Sequence, residues 1–171
     1  MTYFLDFDRT IFDTNRLYKL LFARPEYAHV ERLPRLEQAA VFADFLTNNK
    51  LSFTPGELVP LLCDDVPPFF ASHSCVLVTF GHLLWQKTKI ENAFNGAPAF
   101  PVIYTEFNSK GPALAREVAH YSSPHIFIDD EPTHLDSVSQ SVPDIQVFEM
   151  RRDGGEGCGR YPIIRSLTGL P

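Results

Sequence analysis

Asp6 and Asp8 stand at the end of a short apolar run, Tyr3-Phe4-Leu5, and are followed by the hydroxyl of Thr10. Two carboxylates so close in a chain leaving a strand repel each other, so the arrangement calls for a cation or a shared proton. Oxygen-only ligands of this kind suit a hard ion such as Mg²⁺. Taken alone, Asp-x-Asp-x-Thr fits equally well in a solvated turn whose Asp side chains cap the next segment. Three further groups bear on the choice. Thr79 closes the run Cys75-Val76-Leu77-Val78, Lys110 follows Pro101-Val102-Ile103-Tyr104-Thr105 after a short loop, and Asp129-Asp130 end His125-Ile126-Phe127-Ile128. The set is chemically complementary. Carboxylates can hold Mg²⁺, a lysine can neutralise a phosphoryl oxygen, a hydroxyl can donate to another, and one carboxylate is left free to attack phosphorus.

The elements that must position these groups follow from the apolar pattern. Tyr3–Leu5, Cys75–Thr79, Pro101–Thr105, His125–Asp130 and Ile145–Met150 read as strands, the second of them a continuous apolar run of the type buried on both faces. Helices are expected at Asn15–Phe22 (Leu17, Leu20, Leu21 inward), from Pro34 to Asn48 (Leu36, Ala39, Ala40, Ala43, Leu46), from Thr54-Pro55-Gly56-Glu57 to Leu62, and from about Asp64. Further helices are expected at His82–Phe94, where Leu83, Leu84, Lys87, Ile90 and Phe94 mix apolar face and polar edge, at Ser109–Tyr121, and from Pro132. A closing helical turn is expected at Ile163–Leu167. Strands alternating with helices predict a parallel sheet with helices on both faces, and in such a sheet ligands gather beyond the carboxyl ends of the strands. The polar groups named above stand at or just past four of the five expected strand ends.

Composition sets the outer bounds. At 171 residues, 44% apolar and 21% charged, the chain reads as one ordinary globular domain. A formal charge of −6 with no broad basic run argues against nucleic acid as a partner, while leaving room for a local cationic pocket. No apolar run approaches the ~20 residues that span a bilayer. The three cysteines, Cys63, Cys75 and Cys158, are odd in number and widely spaced, which favours free thiols and a cytoplasmic setting. Cys63, His73, Cys75 and His82 fit no common zinc spacing.

The ordered set Asp6-x-Asp8-x-Thr10, Thr79, Lys110 and Asp129-Asp130 resembles the haloacid dehalogenase-like hydrolase superfamily, over nearly the whole chain from Tyr3 to about Met150. The resemblance implies a three-layer, Rossmann-like α/β core of about five parallel strands (residues 1–14 and 74–171), with a small helical cap (residues 15–73) inserted after the first strand. It implies a Mg²⁺-dependent phosphomonoester hydrolase in which Asp6 is the nucleophile that forms an aspartyl-phosphate. Asp8 is then the general acid for the leaving oxygen and the base for the hydrolytic water. Thr79, Phe80 and Lys110 would hold the phosphoryl group; Asp6, Asp8 through its backbone carbonyl, Asp129 and Asp130 would position the metal. The implied partner is a small phosphorylated metabolite. The sequence departs from the family pattern at Arg9, where Gly is frequent, at Phe80-Gly81 after Thr79, and in the double Asp.

Other readings of the same residues stand beside this one. A phosphotransferase or mutase results if an acceptor other than water reaches the aspartyl-phosphate, and a non-catalytic phosphate-binding protein keeps every motif without turnover. A phospho-receiver domain also uses Asp, Thr, Lys and Mg²⁺, but there the acidic pair comes early, whereas Asp129-Asp130 follow Lys110. Arg9 is expected to pair with a nearby Asp, Asp13 to form a turn, His134 to lie exposed at a helix start, and Trp85 and Phe94 to be core. Glu106 and Asn108 are candidates for the pocket wall.

Overall fold

The computed structural model describes all 171 residues. Its centre is a six-stranded, wholly parallel sheet in the order β3-β2-β1-β4-β5-β6. The strands are β1 (Thr2–Leu5), β2 (Ser74–Thr79), β3 (Val102–Tyr104), β4 (His125–Asp129), β5 (Gln146–Met150) and β6 (Ile163–Ile164). β6 replaces the helical turn expected at Ile163–Leu167; two isoleucines pair with Glu149 and Met150. The order places β1 between β2 and β4, in register Leu5 beside Leu77 and Ile128, so Asp6, Thr79 and Asp129 all emerge at one edge.

Alternation of side chains along β1 divides the interior. Tyr3 and Leu5 face one core with Leu77, Trp85 and Ile90; Phe4 faces another with Val76, Val78 and Phe127. The second core is covered by α5 (Lys110–Glu117) and α6 (Pro132–Ser141), which supply Leu114, Leu135 and Val138. These two helices pack so closely that a Cβ on Gly111 would lie 2.1 Å from the Ser137 carbonyl oxygen, which demands glycine there.

Between β1 and β2 the chain is helical, with α1 (Thr14–Phe22), α2 (Arg35–Thr47) and α3 (Val66–Ser72) joined by short 3₁₀ turns. Asp13 caps α1 by accepting from the Arg16 N–H at 2.9 Å, a more specific task than a generic turn. The helix expected from Thr54 is instead a turn, where Glu57 accepts from the Thr54 N–H at 2.8 Å, followed by a 3₁₀ turn at Val59–Leu61. These helices share the first core, with Phe42 stacked on Trp85 of α4 (Leu83–Ala93) at 5.1 Å. No helix is long and apolar enough to cross a membrane.

Candidate active site

Beyond the carboxyl ends of β1, β2 and β4 lies a cavity of about 670 Å³, lined by Asp6, Asp8, Lys110, Asp129 and Asp130 among others. Asp6 continues straight out of β1, its N–H bonded to the Ile128 carbonyl at 2.9 Å. Lys110 opens α5 and is 1% exposed; its ammonium donates to Asp6 and, at 2.7 Å, to Asp129. Asp129 is further held by the Glu131 N–H at 2.8 Å. Asp6, Asp129 and Asp130 each bring a carboxylate oxygen within 4.8 Å of the others'.

The charges in this cluster do not balance. Burial pushes the Asp6 carboxyl up to about 6, with Lys110 opposing and Asp129 and Asp8 reinforcing the rise. Asp130 is pushed up to about 8 by burial and by the Asp6 and Asp129 carboxylates, despite Arg9 at 2.9 Å. Burial raises Asp129 as well, against the pull of Lys110. Burial would depress Lys110, but Asp129 and Asp6 carry it well above the ordinary lysine value. Three carboxylates thus share one buried lysine and a half-exposed arginine. The set is short of positive charge, and its all-oxygen donors fit a divalent ion such as Mg²⁺.

Asp8 has a different environment. Arg9 (φ 63°), next in the chain, is in the left-handed region, where glycine is the easier residue, and Asp8 is not one of the three clustered carboxylates. The Asp8 carboxylate accepts from the Thr14 hydroxyl at 2.6 Å, from the Gln86 amide at 2.8 Å and from the Lys89 ammonium. Lys89 is 1% exposed and packs over the rings of Phe7 and Trp85. Burial would raise Asp8, but Lys89 and then Thr14 and Gln86 hold it below the usual carboxylate value. Lys89 is itself lowered, because its burial outweighs the attraction of Asp8. Gly81 makes room for this group: a Cβ there would meet the Gln86 amide at 2.9 Å.

The other sequence candidates are placed as follows. Thr79 ends β2 fully buried and is not on the cavity wall; its Oγ1 has no hydrogen-bond partner, while Phe80 and Gly81 line the cavity in its stead. Arg9 pairs with Asp130 and, more loosely, with Glu131 at 3.8 Å. His134 is not exposed: it lines the cavity 5.0 Å from the Phe80 ring, and burial, then Lys110, push it down to about 4. Trp85 is core but also borders the cavity, whereas Phe94 packs on Phe70 and Phe100. The wall carries Phe107 and Ser109 rather than Glu106 and Asn108.

Gln86, Lys89, Tyr18 and Arg35 were not singled out by the sequence. Leu83 and Leu84, expected inward, are 42% and 38% exposed, while Gln86 and Lys89 are buried. The inward face of α4 borders a polar cavity as well as the core, so hydrophobic phasing gives its orientation in part: Trp85 and Ile90 are buried as expected, Leu83 and Leu84 are not. A buried lysine three residues beyond a buried glutamine is visible in sequence only once Asp8 is known to lie opposite.

No protein-family model matches the sequence, and no curated protein matches it either. Solved structures do. UTR4 from Saccharomyces cerevisiae is similar with a TM-score of 0.61 at 14% identity, over 99% of both chains. The HAD-hydrolase YfnB from Bacillus subtilis, solved bound to magnesium, gives 0.62 at 16% identity over 96% of this chain and 94% of that one. An L-2-haloacid dehalogenase from Xanthobacter autotrophicus gives 0.57 at 16% identity, over 88% and 77%. The chain has the haloacid dehalogenase-like hydrolase fold.

Proposed function

We propose that this protein is a Mg²⁺-dependent phosphomonoester hydrolase in which Asp6 attacks phosphorus and forms an aspartyl-phosphate. The observation that carries the reading is the Asp6–Lys110–Asp129 chain of hydrogen bonds beside Asp130, at the edge where β1 and β4 end. A carboxylate can approach a phosphoryl dianion only where positive charge is concentrated. Asp6, Asp129 and Asp130 would hold Mg²⁺, with the Asp8 backbone carbonyl as a further ligand. The ion would neutralise phosphoryl oxygens and restore the ionised forms of the raised carboxyls.

Lys110 keeps Asp6 oriented, and its ammonium would stand beside the phosphoryl group once Asp6 attacks. The turn at Phe80-Gly81, on the cavity wall, would lie next to the phosphoryl group, with Thr79 buried behind it. Asp8, held as a carboxylate by Lys89, can accept a proton from water in the second half of the reaction; in the first half it would have to arrive protonated. Helices α1 to α3 would act as a small cap, since α1 and α2 furnish Thr14, Tyr18, Arg35 and Leu36 to the cavity wall. Transfer to an acceptor other than water uses the same aspartyl-phosphate.

The test is hydrolysis of an aryl phosphate with Mg²⁺ and with EDTA, in wild type, Asp6→Asn and Asp8→Asn. Turnover should need the metal and Asp6, and an acyl-phosphate trapped by hydroxylamine should vanish in Asp6→Asn. Activity kept by Asp6→Asn or in EDTA would refute the reading. Halide release from chloropropionate would assign instead the reaction named for the Xanthobacter enzyme.

A further inference from the structure

The cavity has a second wall that the phosphoryl chemistry leaves unused. Tyr18 of α1, Arg35 and Leu36 of α2, and Trp85 of α4 border it opposite the strand ends, from a part of the chain that supplies none of the Asp6–Lys110–Asp129 group. Arg35 takes part in none of the ion pairs of the protein. Its guanidinium is positioned by neutral groups only, donating to the Asn15 side chain at 2.9 Å and lying 5.6 Å over the Tyr18 ring. Glu31 borders the adjoining groove with Arg35 but does not pair with it. Arg35 is exposed at the cavity rim, and an arginine without a carboxylate partner is a cation available to an anion.

A second donor belongs to a residue of the same wall. Trp85 is 1% exposed, and its indole Nε1 is buried with no hydrogen-bond partner. The Tyr18 hydroxyl stands beside the indole; burial and then the Asp8 carboxylate push that phenol up to about 12, with the Trp85 N–H and Arg35 opposing. An unmet buried donor is costly, and one beside a cavity is satisfied most simply by a ligand acceptor. Trp85 cannot turn away, because it is stacked on Phe42 and packed under Lys89. α2 also begins at this wall with Pro34 before Arg35 and no side-chain cap, so its free N–H groups add positive potential.

We propose that Arg35 and Trp85 form a subsite for a second anionic group of the substrate, a carboxylate or a second phosphate, which makes the substrate class phosphomonoesters with an oxyanion at their far end. This rests on the phosphatase reading, and it adds what that reading lacks, a determinant of substrate choice. A cavity of about 670 Å³ has room for such a metabolite between the two walls. Leu36 and Arg9 complete the rim, so a short, flexible or partly apolar linker would suit the middle.

The probes are ω-carboxyalkylphosphonates of increasing chain length, the matching alkylphosphonates without a second charge, and the matching bisphosphonates, titrated calorimetrically into the intact protein with Mg²⁺. At one chain length the doubly anionic ligand should bind about ten- to a hundredfold more tightly than its alkyl counterpart, the range of a charge-assisted bond. The carboxylate and bisphosphonate arms then say which oxyanion is preferred. In Arg35→Gln that ratio should fall to about one, and in Trp85→Phe it should fall partway. Equal binding of charged and uncharged tails at every length overturns the subsite, using wild-type protein alone. A ratio that survives Arg35→Gln overturns its location. If simple alkylphosphonates do not bind and aryl phosphates are not hydrolysed, the phosphatase reading fails and the subsite falls with it, an outcome distinct from the other two.

Discussion

Replacement of Lys89 by Met tests the electrostatics around Asp8 without reference to any substrate. The substitution keeps most of the side-chain volume between Phe7 and Trp85 but removes the ammonium bonded to Asp8. Asp8 then keeps Thr14 at 2.6 Å and Gln86 at 2.8 Å in a site that is 23% exposed at the carboxylate side chain. Breaking a buried pair by removing one partner costs about 3–5 kcal/mol, and the two surviving hydrogen bonds favour the lower end. A loss of about 3 kcal/mol at pH 7.5 lowers the melting temperature by about 6–12 °C for a domain of this size. The sign of the pH dependence also inverts. In the wild type the folded Asp8 is held below its unfolded value, so its contribution is present above about pH 4 and is lost as the pH falls further. In Lys89→Met burial is opposed only by the Thr14 and Gln86 hydrogen bonds, the folded value should rise above the unfolded one, and stability should recover as the pH drops from 7.5 toward 5. The double variant Asp8→Asn/Lys89→Met should lie within about 1 kcal/mol of wild type, since Lys89 is also strained by its burial and exchange of a buried pair for neutral groups is often free. Thermal melts of the three proteins across that pH range are the assay. A single variant melting within about 2 °C of wild type at pH 7.5, or a double variant as weak as the single, would refute the reasoning.

Three other outcomes are expected. Mg²⁺ at about a hundredfold its dissociation constant should stabilise the protein by about 2.7 kcal/mol, about 5–11 °C in melting temperature, and Asp130→Asn should abolish most of that shift. Thr79→Val should leave the ligand-free protein unharmed or about 1 kcal/mol more stable, because the buried Oγ1 has no partner and the side chain lies off the cavity wall; urea melts read the change, and a loss above about 1 kcal/mol would refute it. Gly111→Ala should cost about 3 kcal/mol in urea unfolding, because its Cβ would collide with the Ser137 backbone of α6; a loss under 1 kcal/mol would show that α5 can slide.

Sheet and strand ends were legible because each strand is a short apolar run closed by a polar or turn residue, and a parallel sheet buried on both faces needs such runs. β6 was not, since Ile163 and Ile164 carry no alternation and pair only because Glu149 and Met150 offer an edge. Helix existence was legible but helix orientation less so. α4 turns Leu83 and Leu84 outward and Lys89 inward, and Leu20 of α1 is 55% exposed, because what these helices cover includes a charged cavity as well as a core. The carboxylates, Thr79 and Lys110 could be found by their positions after strands. Gln86 and Lys89 could not, as their roles depend on contacts with Asp8 across 78 and 81 residues of sequence.

The two lysines show why proximity of charge alone does not define the chemistry. Lys110 joins two carboxylates and is raised above its ordinary value, so it stays an ammonium throughout the accessible pH range. Lys89 faces one carboxylate and is lowered by burial, so it stabilises Asp8 as an anion at its own expense. One side of the cavity therefore has carboxylates in excess of cations beside Asp6, and the other has Asp8 already compensated. A dication added to the first side lowers the field that raises Asp6 and Asp130, while the second side gains little from it. For that reason metal should act more strongly on Asp6 than on Asp8: Mg²⁺ should shift the pH dependence of stability set by Asp6 and Asp130 to lower pH, and change the Lys89-dependent stability difference much less.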